Sequence, residues 1–358
     1  MQRVATELYT ALGNVPGLAL EGLLLHTSWT LTQPRTALFL PRVRARLRRE
    51  ARQPTVDAVL FSSMVTASTA VGLSERLRQA GVVTAAITHG LDVTTPFGPY
   101  QRFVPRVFKA LDLILPVSRA TEDACRTRGA DPERLVVVPN GVDVSRLAPS
   151  EDRTQARTAM LEALGLTLPA EALVLLSVGR HVPRKGFAWF AAEVMPRLPP
   201  HLHWILVGEG PQTPAVREAI AAHGLGARVH LPGRITDAVL TALYRGADLL
   251  VMPNRPVPGD MEGFGVVMLE AGLAGLPTVG AALEGLLDVI AEGENGHLIP
   301  TGDADAFAAT LVRYAADRPA LAALAARGAA YTRDTFAWEA VAQRYVETLR
   351  AAVGRIMA

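Results

Sequence analysis

Three features of the sequence predict an α/β fold of two Rossmann-like, doubly wound domains. Short apolar runs that stop at Gly, Ser, His or Pro alternate with longer Ala-, Leu- and Arg-rich segments, as buried parallel strands alternate with crossover helices. The chain has 358 residues, 49% of them hydrophobic, which is enough for two cores rather than one. The strand–helix series also runs through twice, with a polar break between the two passes.

In the first pass the strand candidates are LALEGLLLH (18–26), VDAVLFSS (56–63), VVTAAITHG (82–90), LDLILPVS (111–118) and RLVVVPNG (134–141). In the second they are ALVLLSVGR (172–180), HWILVGEG (203–210), ARVHLPG (227–233), ADLLVMP (247–253), LPTVGA (276–281) and GHLIP (296–300). Between them, in VVVPNGVDVSRLAPSEDRTQ, Pro-Asn-Gly stops a strand and a polar run opens the next helix. The boundary is therefore expected near Leu147, giving domains at residues 1–147 and 148–330. The terminal segment FAWEAVAQRYVETLRAAV has helical apolar spacing, and residues 331–358 are expected to pack back on the first domain.

Composition narrows the function classes. A single cysteine, Cys125, rules out an internal disulfide, and no Cys/His cluster has zinc spacing. No apolar run reaches the ~18 residues needed to span a bilayer, and MQRVATELYT lacks the order of a signal peptide. A cytoplasmic protein is expected. Residues 1–149 hold 18 Lys and Arg against 12 Asp and Glu, a surplus of +6, and the remainder carries −4. That asymmetry is too mild for a nucleic-acid arm but suits an anionic surface or acceptor. RVRARLRREAR, Arg42 to Arg52, carries six arginines and reads either as a solvated helix face or as a membrane-surface contact.

Five stretches carry candidate chemistry. SVGRHVPRKG places Gly179, Arg180 and Lys185 in a loop beyond a strand's carboxyl end, where open α/β sheets bind ligands; two cations there can hold a diphosphate. The bland alternative is a solvated basic turn. ILVGEGPQ begins like a dinucleotide fingerprint, but Thr213 stands where the third small residue belongs, so it reads as a tight turn bearing Glu209 near a nucleotide. That failed match disfavours a nicotinamide-dependent oxidoreductase. LPGRITD sets Arg234 and Ile235 beside a base, a weak signal taken alone.

MEGFGVVMLEA, Met261 to Ala271, is the most informative stretch. Gly263 and Gly265 resist helix formation and the residues after them propagate it, so a helix is expected to begin near Gly265. The amides of Phe264, Gly265 and Val266 then face outward at a helix start, where phosphate is held. Glu262 lies before that start and Glu270 within the helix, two carboxylates placed to accept paired hydroxyls at opposite ends of a nucleotide sugar. In AAITHGLDVTTP, His89 follows a strand directly; it is either a satisfied structural histidine or a substrate contact, and Asp92 and Thr94 share its loop. Asp303 and Asp305 resemble a metal pair, but their place ahead of a helix makes Asp303 an N-cap and Asp305 a first-turn charge.

Together these stretches resemble the family 4 retaining glycosyltransferases, which have the GT-B fold of two facing Rossmann-like domains with a cleft between them. The resemblance spans nearly the whole chain and is strongest from VVVPNGVD to GHLIP. EGFGVVMLE looks like the family's Glu-x7-Glu motif, and GRHVPRKG like its Arg/Lys diphosphate loop. The likeness implies that Arg180 and Lys185 clamp the diphosphate, Glu262 contacts the donor sugar and Glu270 the ribose. It further implies that Phe264, Gly265, Val266 and Val267 meet sugar and phosphate, and that His89 lies beside the reacting sugar. It implies a nucleotide-sugar donor, a glycan or lipid-linked acceptor, no cofactor and no bound metal. Peripheral contact with the inner face of the plasma membrane follows as a further expectation. One departure is plain: family members open with a β-strand and a Gly-Gly loop, and here MQRVATELYTAL resembles the helix that follows them. The first strand is thus expected to be missing from the chain as written, which makes a nucleotide-sugar-binding protein without transferase activity the alternative.

Overall fold

The computed structural model describes residues 2–25, 32–150 and 152–357. It divides into two compact units: Met1–Gly141 with Gly259–Phe264 and Trp338–Ala358, and Val142–Pro258 with Gly265–Ala337. The division falls ahead of Leu147, and the first unit recovers both the terminal helix from Trp338 and a short piece of the Met261–Ala271 stretch.

In the first unit, β1 (Ala58–Phe61), β2 (Val83–Thr88) and β3 (Leu113–Pro116) form a parallel sheet in the order β1-β2-β3 among the described residues. β2 is buried along its whole length, as a central parallel strand with helices on both faces must be. Each strand runs into a loop or helix start: Ser63 and Ser118 turn their hydroxyls back to accept from the amides of Thr66 and Thr121, closing the helices after β1 and β3. The core gathers Phe61, Met64, Leu77, Val107, Phe108 and Ile114. Helix Trp338–Met357 packs on helix Gln2–Gly13, where Trp338 Nε1 donates to Glu7 Oε2 at 2.8 Å.

Two strand expectations here are corrected. Leu18–Leu25 has no regular structure: Leu23 and Leu24 are half exposed, and Gly22 lies against Tyr9, where a Cβ would stand 2.4 Å from the ring; His26 lies outside the described residues. Arg134–Gly141 makes only a bridge, Leu135 to Ile114, plus amide bonds from Val136 and Val138 to the β3 carbonyls of Ile114 and Pro116.

The second unit holds six parallel strands: β4 (Leu173–Val178), β5 (Leu202–Val207), β6 (Val229–Gly233), β7 (Leu249–Met252), β8 (Thr278–Ala281) and β9 (Gly296–Ile299). Their order is β6-β5-β4-β7-β8-β9, so the winding reverses between β4 and β7. This is the doubly wound arrangement, and its ligand crevice lies outside the carboxyl ends of the strands at that reversal. A buried relay fixes the centre: Trp204 Nε1 donates to Ser177 Oγ at 3.0 Å, and Ser177 passes a 2.7 Å bond to the Val251 carbonyl. Three strands, β5, β4 and β7, are thereby held in register above a core of Leu175, Phe190, Trp204, Phe307 and Leu311. As expected, Asp303 caps helix Ala304–Ala316, accepting from Ala306 N–H at 2.9 Å; Asp305 pairs with Arg197 at 3.0 Å.

Candidate functional site

The loop after β4 is built on glycine. Gly179 has φ 157°, and a Cβ there would sit 3.4 Å from Lys185 Cε, so the lysine side chain runs back over it. Gly186, at φ 67°, leaves only 1.9 Å between a Cβ and the Pro253 carbonyl oxygen, and Arg255 N–H donates to Arg184 O at 2.8 Å. The loop of β4 is thus pinned to the loop of β7 at the switch point. On the other side Gly208, at φ 117°, places a Cβ 2.1 Å from Gly179 O, and its amide donates to Gly233 O at 2.9 Å. Only glycine permits three strand-end loops to close this tightly.

Between these loops is a cavity of about 420 Å³ whose wall includes Arg180, His181, Glu209, Thr213, Arg217 and Arg234. Arg234 and Glu209 form a 3.6 Å pair at its rim, both well exposed. The wall carries three guanidinium groups and one carboxylate, a surplus of positive charge suited to an anion. The structure therefore brings Arg180, Glu209 and Arg234 together, with Gly179 and Lys185 adjoining them through the loop. Lys185 is buried and Arg180 exposed.

Helix Val266–Leu273 starts as the sequence predicts, with Gly265 as a left-handed N-cap at φ 83°. Its first residues, Val266 and Val267, are partly exposed, and Ile235 is half-buried. Glu270 is buried, and Tyr244 donates its hydroxyl to Glu270 Oε2 at 2.8 Å. Tyr244 was not visible in the sequence as a site residue, since nothing in its spacing ties it to a carboxylate 26 positions away.

In the first unit His89 directly follows β2. Its Nε2 lies 3.0 Å from the Ser62 carbonyl, which only accepts, so the ring proton is on Nε2 and Nδ1 is left as an acceptor. Its backbone amide donates to Asp92 Oδ1 at 2.8 Å, and Asp92 Oδ2 accepts from Met64 N–H at 3.2 Å. Asp92 therefore positions both the histidine and the helix after β1. Burial pushes the His89 pKa down against the opposing pull of Asp92, which favours the neutral ring. Gly263 comes against this same turn: a Cβ on it would stand 2.0 Å from His89 O. Glu262 and Phe264, on either side, are buried. The Met261–Ala271 stretch thus divides, its residues through Phe264 folding with His89 and those from Gly265 with the second unit.

Residues 7–146 match the family model described as Glycosyltransferase Family 4, and residues 172–317 match the model described as Glycosyl transferases group 1. The chain belongs to glycosyltransferase family 4. This glycosyltransferase is 28% identical over 321 residues to the GDP-mannose-dependent alpha-(1-6)-phosphatidylinositol monomannoside mannosyltransferase of Mycolicibacterium smegmatis, a match covering 88% of this chain and 82% of that protein. It is 35% identical over 284 residues to the D-inositol 3-phosphate glycosyltransferase of Xylanimonas cellulosilytica, covering 77% of this chain and 65% of the relative. In fold the glycosyltransferase is similar to Anabaena HepE in complex with UDP, with a TM-score of 0.72 at 23% identity over 87% of this chain and 82% of that one. It is likewise similar to a glycosyltransferase from Rickettsia africae, with a TM-score of 0.73 at 15% identity over 98% and 94%. The fold is GT-B.

Proposed function

We propose that the chain is a retaining hexosyltransferase that moves a sugar from a nucleoside-diphosphate sugar to an acceptor hydroxyl, without a bound metal. The observation that carries this reading is the guanidinium-lined cavity at the carboxyl ends of β4, β5 and β6, enclosed by glycine turns that admit no side chain. The Mycolicibacterium relative is GDP-mannose-dependent and HepE was solved with UDP, which supports a nucleoside diphosphate as the common element of the donor.

Arg180 and Lys185 take the diphosphate, Glu270 the ribose, and Glu262 and His89 the transferred sugar. In the reaction the C1–O bond to the diphosphate breaks and a C1–O bond to the acceptor forms on the same face of the ring. The acceptor's proton passes to the departing phosphate oxygen. Negative charge builds on the diphosphate as it leaves, and Arg180, Lys185 and the start of helix Val266–Leu273 stabilise it. Glu262 orients the sugar and forms no bond to it. At subsaturating donor, Lys185→Ala and Glu262→Ala are each expected to lower kcat/KM about a hundredfold or more, the scale of losing one oriented charge contact. Unchanged transfer in either variant overturns the assignment. Donor binding with neither transfer nor donor hydrolysis in the wild type establishes the binding-protein alternative.

The acceptor is proposed to be a glycan or a lipid-linked hydroxyl met at the inner face of the plasma membrane. Among the described residues no helix is long and apolar enough to cross a membrane. Helix Thr32–Glu50 presents exposed Arg42, Arg48 and Arg49 together with Leu38, 75% exposed. Two other arginines of that helix are committed to the fold, Arg44 to the carbonyls of Thr69 and Val71, and Arg46 to Glu50 and Glu21. Flotation with anionic vesicles is expected at low salt and to weaken at moderate salt, because exposed charges are screened beyond about 10 Å at 0.1 M. Absence of salt-sensitive flotation overturns the membrane assignment.

A further inference from the structure

We propose that His181 is a positioning residue for the nucleotide half of the donor, acting through Thr213 to lock the turn Gly208–Gly210 that walls the cavity. The proposal rests on the reading that this cavity holds the nucleoside diphosphate. His181 itself is 1% exposed, and its ring stands edge-on to Phe187 with centroids 5.6 Å apart. Its Nε2 is closed off from solvent and has no hydrogen-bond partner among the described residues. The side chain therefore does not reach a ligand, and whatever it contributes passes through Nδ1.

Nδ1 lies 2.9 Å from Thr213 Oγ1, and the Gly210 amide lies 3.0 Å from that same oxygen. An amide only donates, so Gly210 N–H takes one lone pair of the hydroxyl. The hydroxyl keeps a second lone pair and its own proton, so it pairs with Nδ1 whether that nitrogen donates or accepts. Burial depresses the His181 pKa against the opposing charge of Glu209, which favours the neutral ring. The main chain completes the lock: His181 N–H donates to Glu209 O at 3.1 Å, and Gln212 N–H donates to His181 O at 2.9 Å. Gly210 is held so close that a Cβ would lie 2.4 Å from His181 O. One residue thus joins the loop after β4 to the turn after β5, and that turn carries Glu209 against Arg234.

A residue that orders the binding wall should alter donor capture and leave the chemical step alone. The test measures transfer kinetics, together with calorimetric binding of UDP and of GDP, in wild type, Thr213→Val, His181→Leu, His181→Asn, the Thr213→Val/His181→Leu double variant and Arg180→Ala. Circular dichroism and thermal midpoint confirm that each variant is folded. Thr213→Val and His181→Leu are expected to raise donor KM and nucleoside-diphosphate Kd about five- to tenfold with kcat within about twofold, the scale of one lost hydrogen bond. His181→Asn, whose amide can both accept from and donate to the Thr213 hydroxyl in place of Nδ1, is expected to recover most of the loss, and the double variant to be no worse than either single one. If His181→Leu leaves KM and Kd unchanged while Arg180→Ala weakens binding, the His181 proposal is overturned and the nucleotide reading stands. If His181→Asn is as impaired as His181→Leu, or if kcat collapses at unchanged KM, the proposal is likewise overturned. If neither nucleotide binds the wild type, the reading beneath it falls as well.

Discussion

At Gly263 one missing carbon joins two parts of the candidate site. Its Cα faces the His89 carbonyl so closely that a Cβ would stand 2.0 Å from the oxygen, a contact that backbone movement alone can relieve. Gly263→Ala should push the Glu262 segment and the His89 turn apart, costing about 1–3 kcal/mol as an overpacking change. Chemical denaturation is expected to show that loss, and transfer activity to fall by more than the unfolded fraction accounts for; a variant as stable as wild type places the two segments apart. The sequence makes Gly263 legible as a helix-resisting residue, whereas its partner is 174 positions away and invisible to spacing arguments. Thr213 shows the same limit from the other side. It spoils a dinucleotide fingerprint, and in the fold its hydroxyl holds Gly210 and His181, so the mismatch marks a hydrogen-bonded turn rather than an absent site.

Among elements, strands buried on both faces are the ones the sequence displays most clearly. β2, β4 and β5 are buried at every position, and a chain flanked by helices on both sides must be apolar almost without interruption. An apolar run is therefore a signal of burial, and it misleads where burial does not follow, as at Leu18–Leu25. The order of strands is a different matter. Pairing of β4 with β7 rather than only with β5 links residues some 74 positions apart, through Asp248 accepting from Val174 N–H at 2.7 Å and Ser177 bonding to Val251. Such non-local closure is chosen by packing, so the switch point comes from the fold, and only the glycines that line it are written in the chain. Glu270 illustrates the consequence. Its place inside a helix is readable at once, while the Tyr244 hydroxyl that orients its Oε2 depends on how helix Asp237–Gly246 packs beside it.

For the molecule as a whole, the buried imidazoles set an acid limit on stability. His89, His181, His203 and His230 all have pKa values lowered below the ordinary 6.5, in each case chiefly by burial. For His203 the charges of Arg228 and His201 add to burial; for His230 the neighbour is His203, whose ring stacks on it at 5.7 Å. In the folded chain these groups stay neutral, and in the unfolded chain they take up protons near pH 6.5. The unfolded state then binds more protons between 6.5 and the lower folded values, so stability is full above about 6.5 and falls as the pH drops through that window. A second loss belongs to carboxylates: burial pushes Glu50 up, but the Thr55 amide, Arg46 and the Thr55 hydroxyl outweigh it, leaving its pKa below 4.5. Glu50 therefore contributes stability above 4.5 that disappears at more acid pH. Thermal midpoints measured from pH 7.5 down to 3 should fall in two stages, the first beginning near 6.5 and the second below 4.5. His230→Gln, which removes one member of the stacked pair, is expected to flatten the first stage and leave the second in place. A midpoint constant between pH 7.5 and 5 would show that these histidines are protonated without cost in the folded chain.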